Sequence, residues 1–161
     1  MRLAIFALLI LVSTLTQAGE LQFVANGKAY HFDRDNNRNE SNWGAGLYYR
    51  FDSDKTAQPF VTVNSFKDSY NNTSNYIGGG YQWRHQLPAI SSKLFTDVGL
   101  MGFVMTRKDY RDGRPFVGAL PFVSIGYDKM AINLAYVPNM NFNETSLVFV
   151  QFMFQLDSFG Q

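Results

Sequence analysis

Three side chains that could carry out acid–base or nucleophilic chemistry lie where predicted strands end. Asp68 and Ser69 adjoin each other, between a β-prone run and the turn-like residues 71–74. His31, one of two histidines, ends an earlier predicted strand on the same side. A neutral imidazole can activate a hydroxyl, so His31, Asp68 and Ser69 are candidate catalytic residues, with Asp68 orienting an imidazole or a substrate hydroxyl. Asp and Ser are also common in ordinary hairpin loops, and that interpretation stays open.

Other motifs predict neither a metal site nor a cofactor. The chain has no cysteine, which excludes a thiolate metal site and a disulfide framework. The polar run at 33–40 lacks the spacing and the central glycine of a calcium loop. The triple glycine at 78–80 is not followed by a helix, so it does not predict a phosphate-binding loop. His85 is interpreted as an interfacial or turn residue at the opposite end of the strands from His31.

The first 18 residues have the layout of a secretory signal. An early arginine precedes an apolar run at 3–12, and small residues follow up to Ala18. A run of this length is too short for a spanning helix, which needs ~20 residues. We therefore predict a signal peptide at 1–18, cleaved after Ala18, and one mature domain at 19–161 that leaves the cytoplasm.

The composition indicates β-structure in contact with lipid. The chain contains 15 Phe, 9 Tyr and 13 Gly, whereas charged residues make up only 17% of it. Aromatic and glycine richness in an exported chain is typical of membrane barrels. The formal net charge is only +1, which argues against a nucleic-acid partner because such binding needs a basic excess.

Eight segments show two-residue periodicity between polar turns, and none predicts a long amphipathic helix. The predicted strands are 20–32, 42–51, 59–67, 75–85, 93–107, 116–128, 130–139 and 145–156. An even number of such strands predicts an all-β fold, namely an eight-stranded antiparallel transmembrane β-barrel. We expect a monomer, with the loops after strands one, three, five and seven outside the cell.

Alternation assigns lipid-facing and lumen-facing side chains most clearly in the last three strands. The predicted lipid faces carry Val117, Ala119, Val123, Ile125 and Tyr127; Met130, Ile132, Leu134 and Tyr136; and Val148, Val150, Phe152, Phe154 and Leu156. The opposite faces carry Ser124, Gly126, Asn133, Gln151 and Gln155. Polar groups in the lumen can find partners that hydrocarbon does not provide.

The predicted lumen is apolar in its outer half and polar in its inner half. The outer half collects Met101, Phe103, Met105, Phe116, Leu120, Val137, Leu147 and Phe149. The inner half collects Arg50, Gln82, Arg84, Asp97, Ser124, Asn133, Gln151 and Gln155. This segregation favours a pocket for an apolar chain that enters from outside. Simple filling of a narrow barrel by side chains is the alternative.

Several motifs resemble those of the outer-membrane lipid A palmitoyltransferases, the PagP family. Residues 66–71 read Phe-Lys-Asp-Ser-Tyr-Asn, close to the family's Phe-Lys-Asp-Ser-Trp-Asn. Residues 120–127 read Leu-Pro-Phe-Val-Ser-Ile-Gly-Tyr, with Tyr-Val-Pro at 136–138, and both are similar to family motifs. A weaker match is Trp-Gly-Ala-Gly at 43–46. The resemblance extends over most of the chain from His31 onward.

The resemblance implies an eight-stranded barrel that moves a palmitoyl chain from a glycerophospholipid to lipid A in the outer membrane of a Gram-negative bacterium. The family's catalytic histidine, aspartate and serine would be His31, Asp68 and Ser69. Its luminal glycine that sets acyl-chain length would be Gly80, below a pocket of Met101, Phe103, Met105, Leu120 and Phe149. Its prolines that open a lateral lipid route between strands six and seven would be Pro121 and Pro138. No metal or cofactor is implied.

The chain also departs from the family pattern. The N-terminal amphipathic helix of the family has no counterpart, and the prolines beside the first outer loop are missing, with Gly27 and Asn42 in that neighbourhood. The alternative function is therefore a non-enzymatic small barrel with a structural or lipopolysaccharide-binding role. A lipid A deacylase is a weaker alternative, because its His-any-Ser pairing on one strand has no match here.

Overall fold

A computed structural model describes residues 19–33, 38–53, 56–139 and 145–156, and the predicted signal peptide lies outside these ranges. The strands form one closed antiparallel barrel in sequence order, which confirms the predicted fold. The strands are β1 (Gly19–His31), β2 (Ser41–Phe51), β3 (Ala57–Lys67), β4 (Thr73–Gln86), β5 (Leu94–Thr106), β6 (Phe116–Tyr127), β7 (Met130–Val137) and β8 (Leu147–Gln155). No helix within the described ranges is long and apolar enough to cross a membrane.

The outer surface of the barrel is covered with apolar side chains. Those predicted to face lipid from β6 and β7 are exposed, as are Phe152 and Phe154 of β8. Further exposed apolar residues come from the other strands and include Leu47, Val63, Ile77, Val98 and Leu100. A soluble monomer rarely exposes so much contiguous apolar surface, and a band of this kind around a barrel is suited to hydrocarbon.

The boundary between β6 and β7, called the β6–β7 seam below, is hydrogen-bonded along only part of its length. The β6–β7 ladder runs from Tyr127↔Met130 to Phe122↔Ala135 and has no pair beyond it. On its other side β6 stays paired with β5 up to Phe116. Pro121 is the next residue after the last β6–β7 pair, and a proline has no N–H to give to a ladder. The outer part of this seam is therefore open.

A β-bulge in β1 decides which way the end of that strand faces. The pairing of β1 shifts register after Asn26 with both of its neighbours, β2 and β8. Asn26 and Ala29 are both buried in the lumen, although strict alternation would place them on opposite faces. The extra residue changes the phase, so His31 also points inward. Without the bulge, the imidazole would face lipid.

The inner half of the lumen is filled with polar side chains, as the sequence predicts. Arg84 makes a bidentate ion pair with Asp97, with nitrogen–oxygen distances of 2.8 and 2.9 Å. The same guanidinium lies 3.7 Å from the ring centroid of Phe95, and Arg50 pairs with Glu20. These pairs compensate charges that the barrel removes from water.

The Arg84–Asp97 pair gives a stability prediction. Replacing Asp97 with Ala leaves the buried guanidinium without its counter-charge, which typically costs 3–5 kcal/mol, so we expect the free energy of unfolding to fall by about 3 kcal/mol. A urea titration of the refolded barrel in detergent measures this. Lys93→Ala is the control, because Lys93 and Asp128 form an exposed pair, which should contribute much less to stability. Equal losses in the two variants would contradict the interpretation.

Candidate active site

The structure brings His31 and Ser69 together at the outer end of the barrel. His31 is the last residue of β1, and Ser69 lies in the turn between β3 and β4. The Nε2 atom of His31 is 2.9 Å from Oγ of Ser69. The imidazole is only 2% exposed, whereas Ser69 is half-buried. This is hydrogen-bonding distance between an imidazole nitrogen and a hydroxyl, which is the geometry that acyl-transfer chemistry needs.

Asp68 makes a different set of contacts. Its Oδ1 accepts hydrogen bonds from the backbone N–H groups of Tyr70 (3.0 Å) and Asn72 (2.9 Å), and its Oδ2 accepts one from Ser74 Oγ (2.8 Å). Asn71 in the same turn has a φ of 64°, a left-handed conformation that asparagine tolerates. The carboxylate therefore shapes the turn that presents Ser69, rather than binding the His31 imidazole.

This arrangement predicts different results for two substitutions at Asp68. Asp68→Ala removes all three acceptor contacts, and misplacing Ser69 by about 1 Å should lower a transfer rate roughly 100-fold. Asp68→Asn keeps an acceptor for the two backbone donors and should retain most of the activity. Rates of acyl transfer from both purified variants test this. If the two variants lose activity equally, the charge of Asp68 acts on the chemistry directly.

Two asparagines that the sequence motifs did not assign to the site connect its elements. The backbone N–H of Asn39 donates to Ser69 O (2.8 Å), and its side chain donates to Asp68 O (3.1 Å). The buried Asn42 accepts from Ala29 N (3.0 Å) and donates to Lys67 O (2.6 Å). These bonds join the outer ends of β1, β2 and β3. As a result, the two candidate catalytic residues sit on a connected frame.

Below His31 and Ser69 lies a luminal cavity of about 270 Å³. The residues predicted to hold an acyl chain line it, namely Met101, Phe103, Met105, Leu120 and Phe149. Gln82, Arg84 and Asp97 also line it, so the cavity reaches the polar inner half. A cavity with mostly apolar walls beneath a hydroxyl–imidazole pair is suited to an acyl chain whose carbonyl stays at the rim.

Gly80 faces the lumen from β4, but it does not belong to the cavity lining. It pairs with Phe60 of β3 and with Met101 of β5. Phe60 stacks on Tyr48 at a centroid distance of 4.7 Å and contacts Phe122 edge-on at 5.5 Å. A Cβ on Gly80 would overlap the carbonyl oxygen of Leu100, so β5 approaches closely only because residue 80 is glycine.

The cavity also opens sideways at the part of the β6–β7 seam where the two strands are not paired. Val117 and Ala119 point to the outer surface, yet both line the cavity together with Pro138. Pro121 is exposed at the point where the ladder stops, and it is not a lining residue. The structure thus places an opening between the two predicted prolines.

The mouth of the cavity is basic. Arg38, Arg107 and Arg111 line it, and Arg107 pairs with Asp109 at 2.6 Å. Guanidinium groups bind phosphate oxygens well because their donors form a planar fork. Within the described ranges, no group of three or more His, Cys, Asp or Glu side chains could hold a metal ion.

Comparisons with known proteins agree with this architecture. Residues 21–154 match the family described as antimicrobial peptide resistance and lipid A acylation protein PagP. The lipid A acyltransferase PagP of Methylobacillus flagellatus is 31% identical over 121 residues, which cover 75% of this chain and 64% of that protein. The protein of the same name from Laribacter hongkongensis is 34% identical over 116 residues, which cover 70% of this chain and 53% of that protein.

A solved structure shows the same fold at low sequence identity. The crystal structure of Neisserial surface protein A covers 86% of this chain and 96% of its own, with a TM-score of 0.52 and 10% identity. The apolar outer surface and the family match together place the barrel in the outer membrane of a Gram-negative bacterium. The chain spans about half to two thirds of the length of the relatives above, and by its match over nearly all of the barrel it belongs to the PagP family.

Proposed function

We propose that this barrel is an acyltransferase that moves a palmitoyl chain from a glycerophospholipid to a hydroxyl group of lipid A. The observation that carries the proposal is the 2.9 Å contact between His31 Nε2 and Ser69 Oγ at the mouth of the luminal cavity. The relatives' name, lipid A acyltransferase, supports lipid A as the acceptor of an acyl chain. Residues 1–18 are proposed to be a signal peptide, and the mature chain is proposed to act as a monomer.

His31 is proposed to be the general base. In a direct transfer, the lipid A hydroxyl oxygen attacks the ester carbonyl carbon while its proton passes to His31 Nε2. The bond between the carbonyl carbon and the glycerol oxygen then breaks, and that oxygen takes the proton from the imidazolium. The products are acylated lipid A and a lysophospholipid, and the imidazole returns to its neutral form.

Ser69 can take part in two ways. It can hold the acceptor hydroxyl beside Nε2, or its own Oγ can attack the ester after giving its proton to His31. In the second case an acyl-serine forms, the lysophospholipid leaves with that proton, and the lipid A hydroxyl then displaces Ser69 with His31 again as base. A trapped acyl-Ser69 peptide, seen by mass spectrometry after a rapid quench, would support the second route.

The route of the lipids follows from the open seam. We infer that an acyl chain enters sideways between β6 and β7, past Pro121 and Pro138, and lies in the cavity between Met101 and Phe149. Lipid headgroups then stay at the basic mouth, where Arg107 and Arg111 meet their phosphates. Gly80 and the ring of Phe60 beside it are proposed to set how deep the chain can go.

Mass spectrometry of lipids from cells that express the chain tests the proposal. Lipid A should gain the mass of one palmitoyl group, and lysophospholipid should accumulate. Cells with Ser69→Ala, inserted to the same level, should show neither change. If wild-type cells show no altered lipid despite correct insertion, the chain is instead a non-enzymatic barrel with a structural or binding role.

A further inference from the structure

One nitrogen of the catalytic candidate His31 has no hydrogen-bond partner among the described residues. Nε2 contacts Ser69, whereas Nδ1 is buried and unsatisfied. Leaving a buried polar atom unsatisfied costs free energy, so such an atom calls for an explanation. In a base of this kind the partner of the second nitrogen decides which tautomer forms and how the ring is held. Asp68 does not fill this role, since its carboxylate oxygens accept from Tyr70, Asn72 and Ser74.

Among the residues that the structure describes, the carboxylate within 4 Å of this nitrogen belongs to Glu40. Its Oε1 lies 3.9 Å from His31 Nδ1, and its side chain is 44% exposed, so it has room to move. Its backbone is held, because Glu40 O accepts from Ala29 N (3.1 Å) and the preceding Asn39 is bonded to Asp68 and Ser69. An approach of about 1 Å would make a direct hydrogen bond, and catalytic hydrogen bonds are often long in the free enzyme.

We propose that Glu40 is the carboxylate that positions His31, by accepting a hydrogen bond from Nδ1 and thereby leaving Nε2 free to take a proton. This deepens the function proposed above and rests on it. The Glu40 charge would also stabilise the imidazolium that forms during transfer. Glu40 acts through His31 and is a positioning residue, whereas His31 is the group that meets the reacting hydroxyl.

The charged groups around His31 make the negative charge of Glu40 important for forming an imidazolium. The charged groups that face the imidazole are Arg38, Arg107 and Glu40. Two of the three are cationic and disfavour an imidazolium, whereas the charge of Glu40 offsets them. Removing its charge should therefore slow the chemical step without weakening lipid binding in the cavity, which Glu40 does not line.

The tautomer of His31 gives a test that does not depend on turnover. The chain has only two histidines, so ¹⁵N NMR of the refolded barrel resolves both rings, and the exposed His85 serves as an internal reference. In the wild-type protein His31 should carry its proton on Nδ1. In Glu40→Leu, which removes the acceptor, the proton should shift toward Nε2, where Ser69 Oγ can accept it, while His85 stays unchanged.

Kinetics supply the second readout. Glu40→Gln should lower kcat roughly 10- to 100-fold with KM unchanged, near the lower end of what a general base contributes, and Glu40→Asp should recover part of the loss. Asp128→Asn changes an exposed carboxylate at the opposite end of the barrel, and its kcat should equal that of the wild-type protein. An unchanged His31 tautomer in Glu40→Leu overturns the inference, even if kcat falls. An inactive wild-type protein whose tautomer still shifts would support the Glu40 contact and refute the acyltransferase.

Discussion

Replacing His31 with Asn should lower the rate of acyl transfer by about 10²- to 10⁴-fold, the usual contribution of a general base. Asparagine fills a similar space and can still donate to Ser69, but it cannot take a proton from a hydroxyl. The rate of lysophospholipid formation by the purified barrel in detergent measures the effect. Because His31 ends its strand, we expect the barrel itself to form normally.

His85→Asn is the matched control for this substitution. It changes the other histidine of the chain, which is exposed near the inner end of β4, far from the cavity mouth. Its rate should equal that of the wild-type protein. If His31→Asn retains full activity, His31 is not the base, and the contact with Ser69 is only structural.

Closing the open seam between β6 and β7 should abolish acyl transfer. Extending the observed register beyond Phe122↔Ala135 would pair Pro121 with Tyr136. Both side chains are exposed on the outer face. A disulfide between cysteines at these positions would therefore link β6 to β7 without filling the cavity. Cα atoms of paired antiparallel residues lie about 4.5–5.5 Å apart, which a disulfide can span. Activity should be lost on oxidation and return on reduction.

Because the chain has no native cysteine, only the two introduced cysteines can form a disulfide within it. A control disulfide between Ile125→Cys and Ile132→Cys joins two residues that are already paired in the β6–β7 ladder, so it should leave the rate unchanged. The single-cysteine variants show the effect of each substitution alone. Full activity in the oxidised, quantitatively cross-linked Pro121→Cys/Tyr136→Cys protein would rule out lipid entry through this seam.

Much of the barrel could be predicted because lipid and lumen impose opposite demands on alternate residues. In β6 and β7 the alternation of Ile125, Ile132 and Leu134 with Ser124 and Asn133 is strict, and the structure has the same faces. This two-residue periodicity predicted the eight strands, and the motifs at 66–71, 120–127 and 136–138 predicted the family. The ends of strands were less certain, because hydrogen bonding fades there and turn residues resemble strand residues.

The way the site is assembled could not be predicted, because it depends on long-range backbone contacts. The phase change in β1 is one example: Leu21 and Phe23 face out before Gly27, and Tyr30 faces out after it. A glycine within a strand is a typical position for such a bulge. No local pattern predicts that Asn39 holds the Ser69 turn, since this depends on how the outer loops meet. In contrast, the contacts of Asp68 with its own turn are local, and they match the hairpin-loop alternative.

Acyl transfer from a glycerophospholipid to lipid A can be measured directly with purified components. The refolded protein is mixed in detergent with lipid A and a glycerophospholipid that carries an isotopically labelled palmitoyl chain, and the products are analysed by mass spectrometry. We expect labelled palmitoyl on lipid A with an equal amount of lysophospholipid, and neither product with Ser69→Ala. Release of labelled free fatty acid without acylated lipid A, or equal transfer by Ser69→Ala, would contradict it.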